Sequence, residues 1–369
     1  MTHARAIALL TALFFFIGSW GCTFDETTGD EEDAGDWQIE EDAGETGDTS
    51  EGNGDDGGDA READADSGPD ADRDTSQGPE LYLGSEPPYE TGELSVNRTS
   101  VSSAPAELLA FVPQGDDIYP VIVFQHGFLM ANTHYGDLLE HIASHGFVVL
   151  APQMYEAGGF PWDAPSIDDE AALATQIYDW IATDLESSIN TAVEPDLLGL
   201  AGHSRGAKVI WTSLKDSPRD ILGVSGVDPV DGTGGPGGTD DRILDSSVDF
   251  DVPSLLIGTG LGSESNDAFS PACAPEDDNY EQFFDAADSP AWQVVASDYG
   301  HLDMLDDDPS DCGLECGACV DGPSRAPMRQ LTAGLLVSLF RATLQGDDGA
   351  LDVLEDEDAA PVDVDMSVK

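Results

Sequence analysis

The stretch Gly202-His203-Ser204-Arg205-Gly206 lies between the apolar run Leu197–Ala201 and the helix-like stretch Ala207–Leu214. That context predicts a strand, a sharp turn and a helix. A Gly-x-Ser-x-Gly sequence alone says little, because glycine and serine are common. Placed between a buried strand and a helix it has a definite reading: the serine sits on a strained turn, and the flanking glycines let strand and helix pass closely. A serine presented in this way is a candidate nucleophile, and a nucleophilic serine needs a base.

In the α/β-hydrolase arrangement the partners follow in the order serine, acid, histidine. Of the seven histidines only His301 lies after Ser204, so it is the candidate base. The plainer reading, a loop histidine capping a turn in Asp298–Asp303, would leave Ser204 without an activator. The acid is open from the residues alone. Asp228 ends the strand after the elbow, whereas Glu264 and Asp267 follow the next one. Two backbone N–H groups are expected to form an oxyanion hole, that of Arg205 and that of Phe128 in the turn His126-Gly127-Phe128. The alternative for Phe128 is core packing.

The order of elements fits that arrangement. Leu108–Val112 and Val121–Gln125 read as strands, Tyr135–Ser144 as a helix and Phe147–Ala151 as a strand. Asp168, Asp169 and Glu170 place acids at a helix start, and Ala172, Ile177, Trp180, Ile181 and Leu185 give that helix an apolar face. The elbow strand, Ile221–Val227, Val252–Gly258, Trp292–Ala296 and a final helix Ala326–Leu344 follow. Strands alternating with helices predict an α/β-hydrolase fold, a mostly parallel central sheet with helices on both faces, in one catalytic domain over 85–346.

The ends read differently. Arg5, the apolar stretch Ala6–Ile17 and Gly21-Cys22 predict a lipoprotein-type signal peptide over 1–21, with Cys22 as the lipidated residue. An ordinary secretory signal cut nearby is the alternative. Residues 22–84 are dominated by Asp, Glu, Gly, Ala, Thr and Ser and read as a disordered acidic tether. The acidic stretch 347–369 is expected to be a disordered tail. These features predict export, with anchoring to the cell envelope at the outer membrane, or secretion. The membrane is then met only through the lipid.

The formal net charge of −62 excludes nucleic acid as a partner, because so acidic a surface repels phosphates. It suits adaptation to salt or a lineage-wide acidic bias equally. With Cys22 assigned to the anchor, Cys273, Cys312, Cys316 and Cys319 remain, an even number that in an oxidising compartment predicts two disulfides of unread pairing. A zinc cluster of the same four is the lesser reading. Asp306, Asp307 and Asp308, with Asp311, read as an acidic surface loop before they read as a calcium site.

Six blocks in order resemble the chlorophyllases: Gln125–Phe128, His141–Tyr155, Gly202–Gly206, Gly226–Val230, Gly258–Gly262 and Tyr299–Asp307. The Ser144–Val149 block and the oxyanion turn also resemble cutinase-like polyester hydrolases. The resemblance implies Ser204 as nucleophile, Asp228 as triad acid with Glu264 in reserve, and His301 as base. It implies a carboxylic ester hydrolase that acts without metal or organic cofactor on esters with a large hydrophobic group. A broad esterase or polyester hydrolase is the alternative, and a non-catalytic binding module the third. A monomeric catalytic domain is expected. Two departures are Ala207, where plant chlorophyllases usually have a second glycine, and the longer insert Cys312–Cys319.

Overall fold

Central strands of a parallel sheet are buried on both faces and must be apolar throughout, and the chain supplies such runs. A computed structural model describes residues 79–158, 164–232, 242–244, 251–266, 271–307 and 317–369. The predicted signal peptide, Cys22, most of the tether, Asp267, Asp308, Asp311, Cys312 and Cys316 lie outside the described residues.

The strands are β1 (Val96–Val101), β2 (Glu107–Pro113), β3 (Tyr119–Gln125), β4 (Val148–Gln153), β5 (Val193–His203), β6 (Gly223–Val227), β7 (Ser254–Thr259), β8 (Ala291–Ala296) and β9 (Val364–Val368). They form one nine-stranded sheet in the order β1-β2-β4-β3-β5-β6-β7-β8-β9. From β4 to β8 neighbouring strands are parallel, and antiparallel strands close both edges. All of β3, β6 and β7 is buried.

The helices are α1 (Gly136–Ser144), α2 (Ile167–Thr183), α3 (Leu185–Ile189), α4 (Arg205–Ser213), α5 (Tyr280–Ala286) and α6 (Arg325–Gln345). On one face, Leu138, Leu139 and Ile142 of α1 join Leu335, Leu339 and Phe340 of α6 over the sheet. On the other, Ile177 and Ile181 of α2 pack with Val209, Ile210 and Trp211 of α4. Ser166 caps α2 by accepting the Asp169 N–H at 3.2 Å, and the acids expected at that helix start occupy its first turn.

Two expected boundaries are corrected. The stretch 347–369 is folded: Asp348–Glu355 forms 3₁₀ turns under α6 with Leu354 buried, and β9 pairs antiparallel with β8, placing Met366 opposite Val294. The charge count concealed the alternation Val362, Val364, Met366, Val368, which is a strand period. The domain also starts before residue 85, since Leu81 bridges Ile118 and the Tyr82 N–H donates to the Ile118 carbonyl at 2.9 Å. Both ends use backbone pairing, to which composition is blind.

Candidate active site

Strand β5 runs apolar and buried into Gly202, and the chain then reverses into α4. Ser204 takes φ 54° and ψ −123° at this junction, a conformation that costs an L-residue on the order of 1–3 kcal/mol. The turn tolerates it because both flanking positions lack a side chain. A Cβ on Gly202 would stand 2.6 Å from the Gly206 carbonyl carbon, and one on Gly206 would stand 2.3 Å from the Gln125 carbonyl oxygen. The strain presents the Ser204 hydroxyl at the C-terminal end of the parallel strands.

Two further strand ends meet it there. Asp228, fully buried with φ 42°, follows β6, and His301 lies in the loop after β8. The Asp228 Oδ2 and the His301 Nδ1 are 2.6 Å apart, and the His301 Nε2 is 2.9 Å from the Ser204 Oγ. The carboxylate also accepts the Thr259 N–H at 2.9 Å and the Thr259 hydroxyl at 2.8 Å. With those donors in place, Asp228 accepts a hydrogen bond from the His301 Nδ1–H, which keeps the ring proton on Nδ1. The Nε2 lone pair is then turned to the serine hydroxyl, the tautomer needed to accept its proton. Glu264 lies exposed on the turn after β7.

The loop after β3 forms the other side. The Gly127 N–H donates to the Tyr135 Oη at 3.0 Å, and the Leu129 N–H donates to the Tyr155 Oη at 3.0 Å, with Leu129 at φ 58°. His126 is buried, accepts the Met154 N–H at Nε2 and carries its own proton on Nδ1 toward the Gly127 carbonyl at 2.8 Å. Burial pushes its pKa down to about 4, so the ring stays neutral. The Phe128 ring lies 5.5 Å from the Arg205 guanidinium, which is held in turn by the buried Glu170 at 2.7 Å and by the Pro165 carbonyl at 2.7 Å. Thus Ser204, Asp228 and His301 are brought into one hydrogen-bonded chain. Arg205 follows Ser204 in the sequence, and its side chain meets that of Phe128.

The acidic loop is occupied by structural work. Asp306 accepts the Gly136 and Asp137 N–H groups at 2.9 Å each, at the start of α1, and Asp307 pairs with Arg329 at 3.0 Å. Among the described residues no group of three or more His, Cys, Asp or Glu could hold a metal ion. Cys273 and Cys319 form a disulfide, which leaves neither as a thiolate ligand.

Sequence reasoning passed over Thr259, although it stands inside one of the six blocks. It also passed over Tyr135, whose only sequence signal is its place at the start of α1, and Asp303, which accepts the Gly300 and Gly322 N–H groups at 2.7 Å each and so shapes the turn bearing His301.

The chlorophyllase family model matches residues 85–369. The chain is 39% identical over 277 residues to chlorophyllase-2 of Arabidopsis thaliana, covering 71% of this chain and 86% of that one. It is 37% identical over 289 residues to a chloroplastic chlorophyllase-1 of Citrus sinensis, covering 75% and 85%. A cutinase of Thermobifida alba is 26% identical over 151 residues, covering 41% of this chain and 45% of its own.

Proposed function

The chain belongs to the chlorophyllase family of α/β-hydrolases, and on that premise we propose that it is a serine ester hydrolase acting on esters with a large hydrophobic group. The observation that carries this reading is the unbroken chain of hydrogen bonds from the Ser204 Oγ through His301 to Asp228. Ser204 attacks the ester carbonyl carbon while His301 Nε2 takes the hydroxyl proton. The tetrahedral intermediate collapses, and the alkoxide leaves with that proton. Water, deprotonated by the same nitrogen, then attacks the acyl carbon, and His301 returns that proton to the Ser204 Oγ as the acid departs. Asp228 keeps the imidazole in register and stabilises the imidazolium. The N–H groups of Phe128 and Arg205 take the developing oxyanion, and that of Arg205 also lies at the N-terminal end of α4, where the helix dipole favours negative charge.

The large hydrophobic group is inferred from the relatives' name and from the apolar run Phe128, Leu129 and Met130 that continues the proposed oxyanion turn. The cutinase match gives the second reading, a broad esterase or polyester hydrolase. Placement is part of the proposal: the apolar Ala6–Ile17 and Gly21-Cys22 support export and lipid anchoring at Cys22, with the acidic segment as spacer. Turnover on short and long p-nitrophenyl esters, triglycerides, polyester film and chlorophyll tests it. A preference for chlorophyll or long-chain esters is expected. Preference for short esters or film selects the second reading, and no hydrolysis of any ester would refute both.

A further inference from the structure

Two loops must keep register for ester hydrolysis, the one that offers the Phe128 N–H and the one that offers the His301 ring. A buried hydrogen-bond chain runs directly from one to the other. The Gly127 N–H donates to the Tyr135 Oη at 3.0 Å, and the same oxygen is 2.9 Å from the His203 Nδ1. The His203 Nε2 is 2.9 Å from the His301 carbonyl oxygen. The proton directions follow from the ends. An amide can only donate and a carbonyl can only accept, so the tyrosine donates its one proton to Nδ1 and the imidazole donates from Nε2.

Space and charge agree with that assignment. Tyr135 and His203 are buried at 0% and 1% exposure. A Cβ on Gly127 would stand 2.8 Å from the His203 Nδ1, so only glycine lets this loop approach the ring. The His203 ring also packs on that of His301, with centroids 4.7 Å apart. Burial and the neighbouring His301 hold the His203 pKa well below its usual value, which keeps Nδ1 an acceptor. The Gly127 carbonyl is fixed as well, by His126 Nδ1 at 2.8 Å and by the Met130 N–H at 3.1 Å. That carbonyl shares a trans peptide plane with the Phe128 N–H, so holding one aims the other in the opposite direction.

We propose that Tyr135 and His203 are positioning residues that lock the oxyanion loop to the backbone of the catalytic histidine, so that both halves of the site move as one body. The inference rests on the ester-hydrolase reading, and its test has one arm that does not. In the kinetic arm, Tyr135→Phe, His203→Gln and the double variant are compared with the parent on p-nitrophenyl butyrate. Each single change is expected to lower kcat about tenfold or more, below the ~10²–10³ of removing an oxyanion donor, with KM within about twofold. The double variant is expected to be no worse than the weaker single, because both changes cut one chain. An unchanged kcat in Tyr135→Phe, or effects that multiply in the double variant, would overturn the proposal. In the second arm, nitrogen NMR of the His203 ring reads its proton directly whether or not the protein hydrolyses esters. A neutral ring protonated at Nε2 that shifts on Tyr135→Phe supports the lock. A ring protonated at Nδ1, or charged at neutral pH, refutes it.

Discussion

The loop after β3 and the loop after β8 face each other across Ser204, and they are built from opposite materials. Residues 120–135 contain neither Asp nor Glu in a chain of net charge −62, and their loop is held by neutral imidazoles, two tyrosines and backbone donors. The second loop carries Asp298, Asp303, Asp306 and Asp307, is tied through Asp303 to Gly322, and abuts the segment fixed by the Cys273–Cys319 disulfide. The division suits the charges of the reaction. In the proposed reaction negative charge develops on the first side, where a carboxylate would oppose it, and positive charge develops on His301, where carboxylates favour it.

The largest expected effect falls at Asp228. Asp228→Asn keeps the shape but favours the wrong tautomer of His301, and turnover should fall by on the order of 10⁴, as in the serine-protease example from which that size comes. Glu264→Gln, at an exposed site, should stay within about twofold of the parent, and turnover of the two variants measured together decides which carboxylate serves. The next largest effect falls on the fold of the second side. Removing residues 347–369 strips β9 from β8 and uncovers α6, so the truncated chain should unfold at a lower temperature or fail to express as soluble protein; circular dichroism melting reads it. Thr259→Val removes one of the donors to Asp228 and should lower kcat roughly tenfold, on the scale of about 1–3 kcal/mol for an unsatisfied buried acceptor, with KM little changed in steady-state assays.

Smaller effects sharpen the contrast. Cys273→Ser with Cys319→Ser should cost ~2–4 kcal/mol in denaturant unfolding and loosen the second loop alone. Acid should loosen the first. His126 is depressed from 6.5 to about 4 by burial, so the unfolded chain binds more protons between those values. Its contribution to stability is complete above pH 6.5 and is lost as pH falls toward 4. Burial raises Asp303 and Asp306, whose strain is relieved by the same acidification. Hydrogen exchange in high salt, corrected for intrinsic rates, should therefore show amides near Gly127 losing protection from pH 6.5 to 4 while those near Gly300 do not.

How much of this the sequence disclosed depends on the range of the interaction. The elbow is local, a strand, a turn and two glycines within ten residues, and it was legible. So was His301, through chain order. The acid was legible only through the family resemblance, because Asp228 and Glu264 each follow a strand; among the residues themselves it is the tertiary approach of β6 to the His301 loop that separates them. β1 escaped notice because Asn97, Arg98, Thr99 and Ser100 give an edge strand little apolar signal. β9 was hidden under its own charges. The Tyr135–His203 contact joins residues 68 apart and has no periodic trace at all.

Ser204 carries the atom proposed to react, and a fluorophosphonate tests this most directly, since it forms a covalent bond with a serine activated in this manner. Peptide mapping by mass spectrometry after labelling the full chain should place a single adduct on Ser204, absent from Ser204→Ala, with labelling slowed in Asp228→Asn. An adduct on another residue, or undiminished labelling of Ser204→Ala, would contradict the assignment.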